Sequence, residues 1–360
     1  MLIKDKNLYY VGGFVRDEIL GIKNFDIDYC YEGDAISFAK EFNVIKTNPD
    51  FGTVRVVIDN NEIDIASTRT EVYPNSGHLP VVEKIGCSLR EDLRRRDFTI
   101  NALAKNTVTG EIKDYFNGLS DIENKKLRVL HDKSFIDDPT RIIRGLKFSV
   151  RLGFKLDELT KKLQEEYLEN INYDISYHRL KKELKETFNL NKKEAYDIFI
   201  EQNIYKLLGK EQSVVKINNS IDKLISQIKP EHAWLVYLGE FNLSNFELTS
   251  EEKDIINNFD NIKHFSPQND IEIYKLFADK PIEALLLYAN FVNFEIVEHY
   301  FNNLAGVKLE VTGDSLLELG IPSGKVYKEI FEYLIEEKIK NPSLTKADEL
   351  TLVKKRFLND

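Results

Sequence analysis

LYYVGGFVRDEILGIKNFDIDYCY, residues 8–31, decides the fold class. LYYV reads as a strand, Gly12-Gly13 breaks it, and FVRDEILGI reads as a short helix that ends at Gly21. FDIDYCY then returns as a strand. Residues two apart on an extended segment project from one face, so Asp26 and Asp28 are expected to point together. The same alternation of apolar and polar positions recurs in GTVRVVID (52–59) and EIDIAS (62–67). Up to about residue 125 the chain therefore mixes strands with short helices. EVYPNSGHLPVVEKIGCSLR (71–90) is turn-rich and reads as the longest irregular piece of this region.

After Pro139 the period changes. RIIRGLKFSVRLGF (141–154), ELTKKLQEEYLENI (158–171) and HRLKKELKETFNL (178–190) carry apolar residues at helical spacing, and the remainder stays helical with few strand signals. With 360 residues the chain is too long for one core, and an α+β head followed by a helical arm is expected. A composition of 42% apolar and 31% charged residues is that of a soluble globular protein, and no apolar run reaches the ~18 residues of a membrane span. The N-terminal residues show no secretory layout. Cys30 and Cys87 form neither a metal spacing nor a disulfide framework, which points to free thiols in a reducing cytoplasm. The net charge of −10 argues against a nonspecific nucleic-acid coat, though not against a local basic stripe.

Two carboxylates on one strand face can hold a pair of Mg²⁺ ions for in-line phosphoryl transfer, and Asp64 on EIDIAS is a candidate third acid. An isolated D-x-D is more often an ordinary solvent-facing strand edge. Gly12 and Gly13 let backbone approach a triphosphate, while the helix start and Arg16 add positive potential; alone, such a pair is more often a tight turn. The set of glycine turn, arginine and D-x-D within twenty residues is far more specific than any of its parts.

GGFVRD followed by FDIDY resembles the catalytic head of class II tRNA nucleotidyltransferases and bacterial poly(A) polymerases, within the polymerase-β-like superfamily. EDLRRRDFTINALA (91–104) resembles their second motif almost letter for letter. The resemblance implies that Asp26 and Asp28 hold the metals and that Gly13, Arg16 and Arg96 touch the incoming nucleotide. The residues agree: Arg95 and Arg96 can neutralise phosphate, Asp97 can orient an arginine, and Asn101 can bond a ribose hydroxyl. Thr99, Ile100 and Leu103 read as packing beneath them.

DDPTRIIR (137–144) opens the first long helix, and Asp138 before Pro139 is a natural cap. The segment also resembles the family's base-reading motif, by which Asp138 and Arg141 read the base with Arg144 in support. A carboxylate accepts from the amino group of cytosine or adenine, whereas uracil and guanine would present an unpaired oxygen; polar sites of this kind discriminate by ~10⁴–10⁵. Asp137 replaces the common Glu, and Lys147 replaces a third arginine, which loses the planar fork.

The resemblance is strong over 8–187, absent through the middle and returns over 310–352. It implies a polymerase-β-like head with a small mixed sheet (1–125), then an elongated all-helical neck carrying the base-reading motif (126–187), body (188–300) and tail (301–360), the tail contacting tRNA. The implied reaction adds CCA to the 3′ end of tRNA from CTP and ATP, with Mg²⁺ as cofactor and no membrane or protein partner. A CC- or A-adding specialist, a poly(A) polymerase, and an RNA-binding protein with an inactive head remain alternatives.

Overall fold

The computed structural model describes residues 3–24 and 27–358. They divide into two compact units, one of residues 1–213 with 241–247, the other of 214–240 with 248–360.

The first unit begins as the alternation predicts. β1 (Leu8–Val11) runs into α1 (Gly13–Ile19), and Gly21 closes that turn at φ +68°. β2 (Tyr29–Tyr31) starts just after the D-x-D segment, yet Asp28 already bonds to the neighbouring strand, its carbonyl accepting from the Val11 amide at 3.1 Å. α2 (Ala35–Phe38), β3 (Asn43–Asn48), β4 (Thr53–Ile58) and β5 (Asn61–Ser67) follow. Val54, Val56 and Ile65 are buried along one face of β4 and β5 while Arg55 and Asp64 lie on the other, the period-2 signature of a half-covered sheet.

Residues 71–90 are more ordered than the expected irregular stretch. β6 (Arg69–Val72) and β7 (Val81–Ile85) form an antiparallel hairpin. α3 (Leu89–Arg94) is set by a capping box, Ser88 accepting from the Glu91 amide and Glu91 from the Ser88 amide. β8 (Leu103–Asn106) and β9 (Ile112–Asp114) complete a seven-stranded sheet of order β3-β4-β5-β2-β1-β8-β9, in which only β2 and β5 are parallel. Beyond α4 (Gly118–Glu123), the two-residue strands β10 (Lys126–Leu127) and β11 (Lys155–Leu156) pair across the start of the otherwise helical region. Between them lie α5 (Ser134–Asp137) and α6 (Thr140–Leu152), which ends at Gly153. α7 (Glu158–Glu169) and α8 (Tyr177–Phe188) complete the packing.

α6 positions the site. Ile142, Ile143, Leu146 and Val150 form its buried stripe, and the intervening Arg144, Lys147 and Arg151 face a cleft. Phe148 meets fully buried Phe98 edge-to-face at 5.9 Å and locks the helix to the segment that carries Asn101. Truncating such a ring to alanine typically costs about 3–5 kcal/mol.

The second unit is helical around Trp234, Tyr237, Leu286 and Tyr288, all fully buried. Towards its end, Val311, Leu316, Ile321, Ile330, Leu334 and Val353 make a separate small core. Among the described residues no helix is long and apolar enough to cross a membrane.

Candidate active site

The turn after β1 begins the site. Gly12 sits at φ +67°, a conformation open to glycine at no steric cost, and a Cβ there would stand 3.0 Å from Nη1 of Arg96. Gly12 and Gly13 line a cleft of about 600 Å³ together with Asp28, Arg16, Arg96, Asn101 and the polar face of α6. Nine of its lining residues are Arg or Lys and five are Asp or Glu. In a chain of net charge −10, such a local excess of cations gives the cleft a potential that suits an anion.

Each cation is held by a carboxylate or a polar partner. Arg16, nearly buried, donates Nε and Nη2 to Asp17 (2.8 and 2.6 Å) and Nη1 to the Asn101 amide oxygen (2.5 Å). Burial pushes its guanidinium below the usual arginine range, a shift that the Asp17 contact opposes. Asn101 in turn donates to Asp97 (2.9 Å), which also accepts from the Phe98 amide and from Nε of Arg144 (2.7 Å). Burial alone would raise the Asp97 carboxyl, but Arg144 and the amide donors outweigh it and hold it at about 2. Arg144 is raised in return, chiefly by the Asp97 charge. Asp92 likewise stays below the carboxylate range against its burial, because Arg96 (3.2 Å) and Arg95 (2.8 Å) sit on it. The expected triphosphate contact Arg96 keeps a buried Nε without a partner beside the glycine turn. Arg94 is exposed, and Thr99, Ile100 and Leu103 are buried.

The two residues expected to read a base lie on the same cleft, and protein partners occupy both. Asp138, between the end of α5 and the N-cap Pro139 of α6, accepts from the Thr140 amide (3.1 Å) and hydroxyl (2.6 Å), and from Nη2 of Arg179 on α8 (2.5 Å). Arg141 donates to the Ser134 hydroxyl (2.8 Å), the Tyr73 hydroxyl (3.2 Å) and the Arg95 carbonyl (2.9 Å). Lys147 spans Glu183 and Glu186 at 2.8 and 2.6 Å. The hairpin loop closes this side: Gly77 donates to the Asp137 carbonyl and accepts from the Ser176 amide, each at 3.0 Å. Sequence reasoning named neither Tyr73, Arg179 nor Glu183. Arg179 and Glu183 lie in the recognised HRLKKELKE segment, but only folding shows what they touch.

Asp26 lies outside the described residues. Asp28 and Asp64 come together: β2 and β5 run parallel with Tyr29 against Ile65, and both aspartates line a second groove of about 430 Å³. Asp64 is also paired with Arg55 (Nε–Oδ1 2.7 Å, Nη2–Oδ2 2.8 Å). Two carboxylates facing one groove, without imidazole or thiolate among its lining residues, are a hard-oxygen donor set that suits Mg²⁺ better than a soft metal. Among the described residues no group of three or more such ligands gathers.

Residues 8–128 match the family model described as the Poly A polymerase head domain. An A-adding tRNA nucleotidyltransferase of Geobacter sulfurreducens is 31% identical over 96% of this chain, which spans only 44% of that protein's length. A CCA-adding enzyme of Lactobacillus helveticus is 31% identical over 74% of this chain and 71% of its own length. Among solved structures, that of the Thermotoga maritima CCA-adding enzyme complexed with tRNA is 26% identical with a TM-score of 0.72, covering 96% of this chain and 90% of that one. With the head-domain match at its N-terminus and a relative of this identity along most of its length, the chain belongs to the tRNA nucleotidyltransferase family that carries the poly(A) polymerase head domain.

Proposed function

We propose that this protein adds nucleotides without a template to the 3′ end of tRNA, completing CCA from CTP and ATP with release of pyrophosphate. The observation that carries the reading is the cation-lined cleft that Gly12, Gly13, Asp28 and the polar face of α6 line together. In it, Arg96, with its unpartnered Nε, and Arg16 would set the potential for the triphosphate, and Asn101, bonded to Arg16, would bind the ribose. Asp138 and Arg141 present the acceptor and donor edge that accepts cytosine or adenine, once their protein partners yield to the base. Asp28 and Asp26, with Asp64 on the neighbouring strand, would hold Mg²⁺. The ion, when bound, supplies Lewis-acid stabilisation of charge on the transferring phosphoryl group. The proposed head, neck, body and tail follow the boundaries 1–125, 126–187, 188–300 and 301–360, with the tail offered to tRNA. Free, buried Cys30 and Cys87 fit a reducing compartment, and the cytoplasm is the proposed location.

A second reading, addition of the terminal A alone, would match the activity named for the Geobacter relative. One experiment separates them. The protein is incubated with Mg²⁺ and tRNAs ending at the discriminator base, at C and at CC, with CTP and ATP supplied separately and together. Extension of all three to CCA supports the complete activity. Extension of the CC-ending tRNA alone supports the A-adding reading, and a long A tail supports a polymerase. Absence of Mg²⁺-dependent incorporation refutes all three and leaves an RNA-binding protein.

A further inference from the structure

The groove beside Asp28 has a charge pattern that the nucleotide cleft does not explain. Lys46 on β3 opposes Arg55 on β4, and Arg55 opposes Asp64 on β5. β5 in turn runs beside β2, where Asp28 precedes Tyr29. The four residues thus form one row across four strands, two cations leading to two carboxylates, and all four line the same groove. A bulge between Val44 and Lys46 builds this row. Were the register unbroken past Val44, Ile45 would oppose Arg55 and the outer wall would be apolar; the bulge at Ile45 puts Lys46 in that place. Among the described residues the Lys46 ammonium pairs with no carboxylate, whereas Arg55 is bound through both edges of its fork to Asp64.

The groove and the nucleotide cleft share Asp28 and Arg96. In-line displacement at phosphorus needs the attacking oxygen on the side away from the leaving group. With a nucleotide in the first cleft, the second groove is the approach left open to the attacking hydroxyl. An incoming RNA terminus carries a phosphodiester, and a guanidinium fork matches phosphate as well as it matches carboxylate.

We propose that this groove receives the 3′-terminal nucleotide of the RNA and that Arg55 is its positioning residue, exchanging Asp64 for the terminal phosphodiester as the RNA seats. The assignment rests on the nucleotidyltransferase reading above. Its consequence is that the Asp64 carboxylate is released into the groove only when RNA is present.

The test measures binding of a 5′-labelled tRNA ending in CC by fluorescence anisotropy, in EDTA and without nucleotide. Arg55→Ala should weaken RNA binding about tenfold, as loss of one charge-assisted contact does, and leave the affinity for ATP unchanged. Arg55→Lys should fall between, and Lys46→Ala should lower the dependence of binding on salt by about one ion. Asp64→Asn should tighten RNA binding in the otherwise wild-type protein and have no effect in the Arg55→Ala protein. Unchanged RNA affinity in Arg55→Ala, or equal tightening by Asp64→Asn in both backgrounds, overturns the exchange. If Arg55→Ala does not fold, Arg55→Lys and Lys46→Ala decide the matter by the same criterion. Wild-type protein that extends no RNA overturns the underlying reading, whereas active wild type with indifferent Arg55 variants overturns the groove assignment alone.

Discussion

Replacing Asp97 with asparagine tests the electrostatic frame of the cleft. In the folded chain its carboxyl is held at about 2, against an ordinary value of 3.8. That difference corresponds to about 2 kcal/mol of stability at neutral pH. Because the folded value is depressed, the contribution is fully present above about pH 4 and is lost as pH falls towards 2. Asp97→Asn should therefore be less stable by about 2 kcal/mol at pH 7, and the gap to wild type should roughly halve by about pH 3. The lone tryptophan, Trp234, belongs to the second unit and reports on the wrong half of the molecule. Hydrogen exchange of the Leu103 and Ile142 amides, which lie in β8 and α6, reads the right one. Nucleotide incorporation should fall as well, since Asn101 and Arg144 lose their common acceptor. Equal protection of the two proteins at pH 7, or a gap that widens on acidification, would refute the reasoning.

Three further outcomes follow from the same geometry. Gly12→Ala forces a Cβ at φ +67° against the Arg96 guanidinium, so it should cost about 1 kcal/mol and raise KM for ATP severalfold in steady-state kinetics. Arg141→Lys cannot reproduce the three-way fork to Ser134, Tyr73 and the Arg95 carbonyl; misincorporation of UTP and GTP relative to CTP and ATP should rise by about tenfold in competition assays. Gly118→Ala places a Cβ 2.4 Å from the Thr99 carbonyl oxygen, and urea unfolding followed by exchange in the first unit should show a loss of about 1–3 kcal/mol.

What the sequence reveals here is local, and what it hides is distant in sequence. The strand-turn-helix of residues 8–19, the strands around Val54 and Ile65, and the helices opened by Thr140 and Tyr177 are legible because apolar period, glycine punctuation and capping residues all lie within each segment. The hairpin of β6 and β7 is not, since Pro74, Gly77 and Pro80 swamp the short alternation of Val81–Ile85 and its pairing partner comes from the other arm. For the site, the motif residues were readable by type and spacing. Their partners were not: Arg16 meets Asn101 across 85 residues, Arg141 meets Tyr73 across 68, and Asp138 meets Arg179 across 41. The short motifs name the donors and acceptors, and only the sheet and the two helices α6 and α8 decide which of them pair.

The outermost strand of the sheet has a meaning for handling this protein that is separate from catalysis. β3 is solvent-exposed along all six residues, and it offers Val44 and Ile45 at its open edge. A straight, greasy rim of that kind invites a neighbouring molecule to add its own strand, the first step towards fibrils. The kink at Ile45 and the charge of Lys46 blunt the rim. Deleting Ile45 to straighten it would therefore trade a soluble preparation for one that self-associates as its concentration rises, which light scattering would register before any loss of secondary structure.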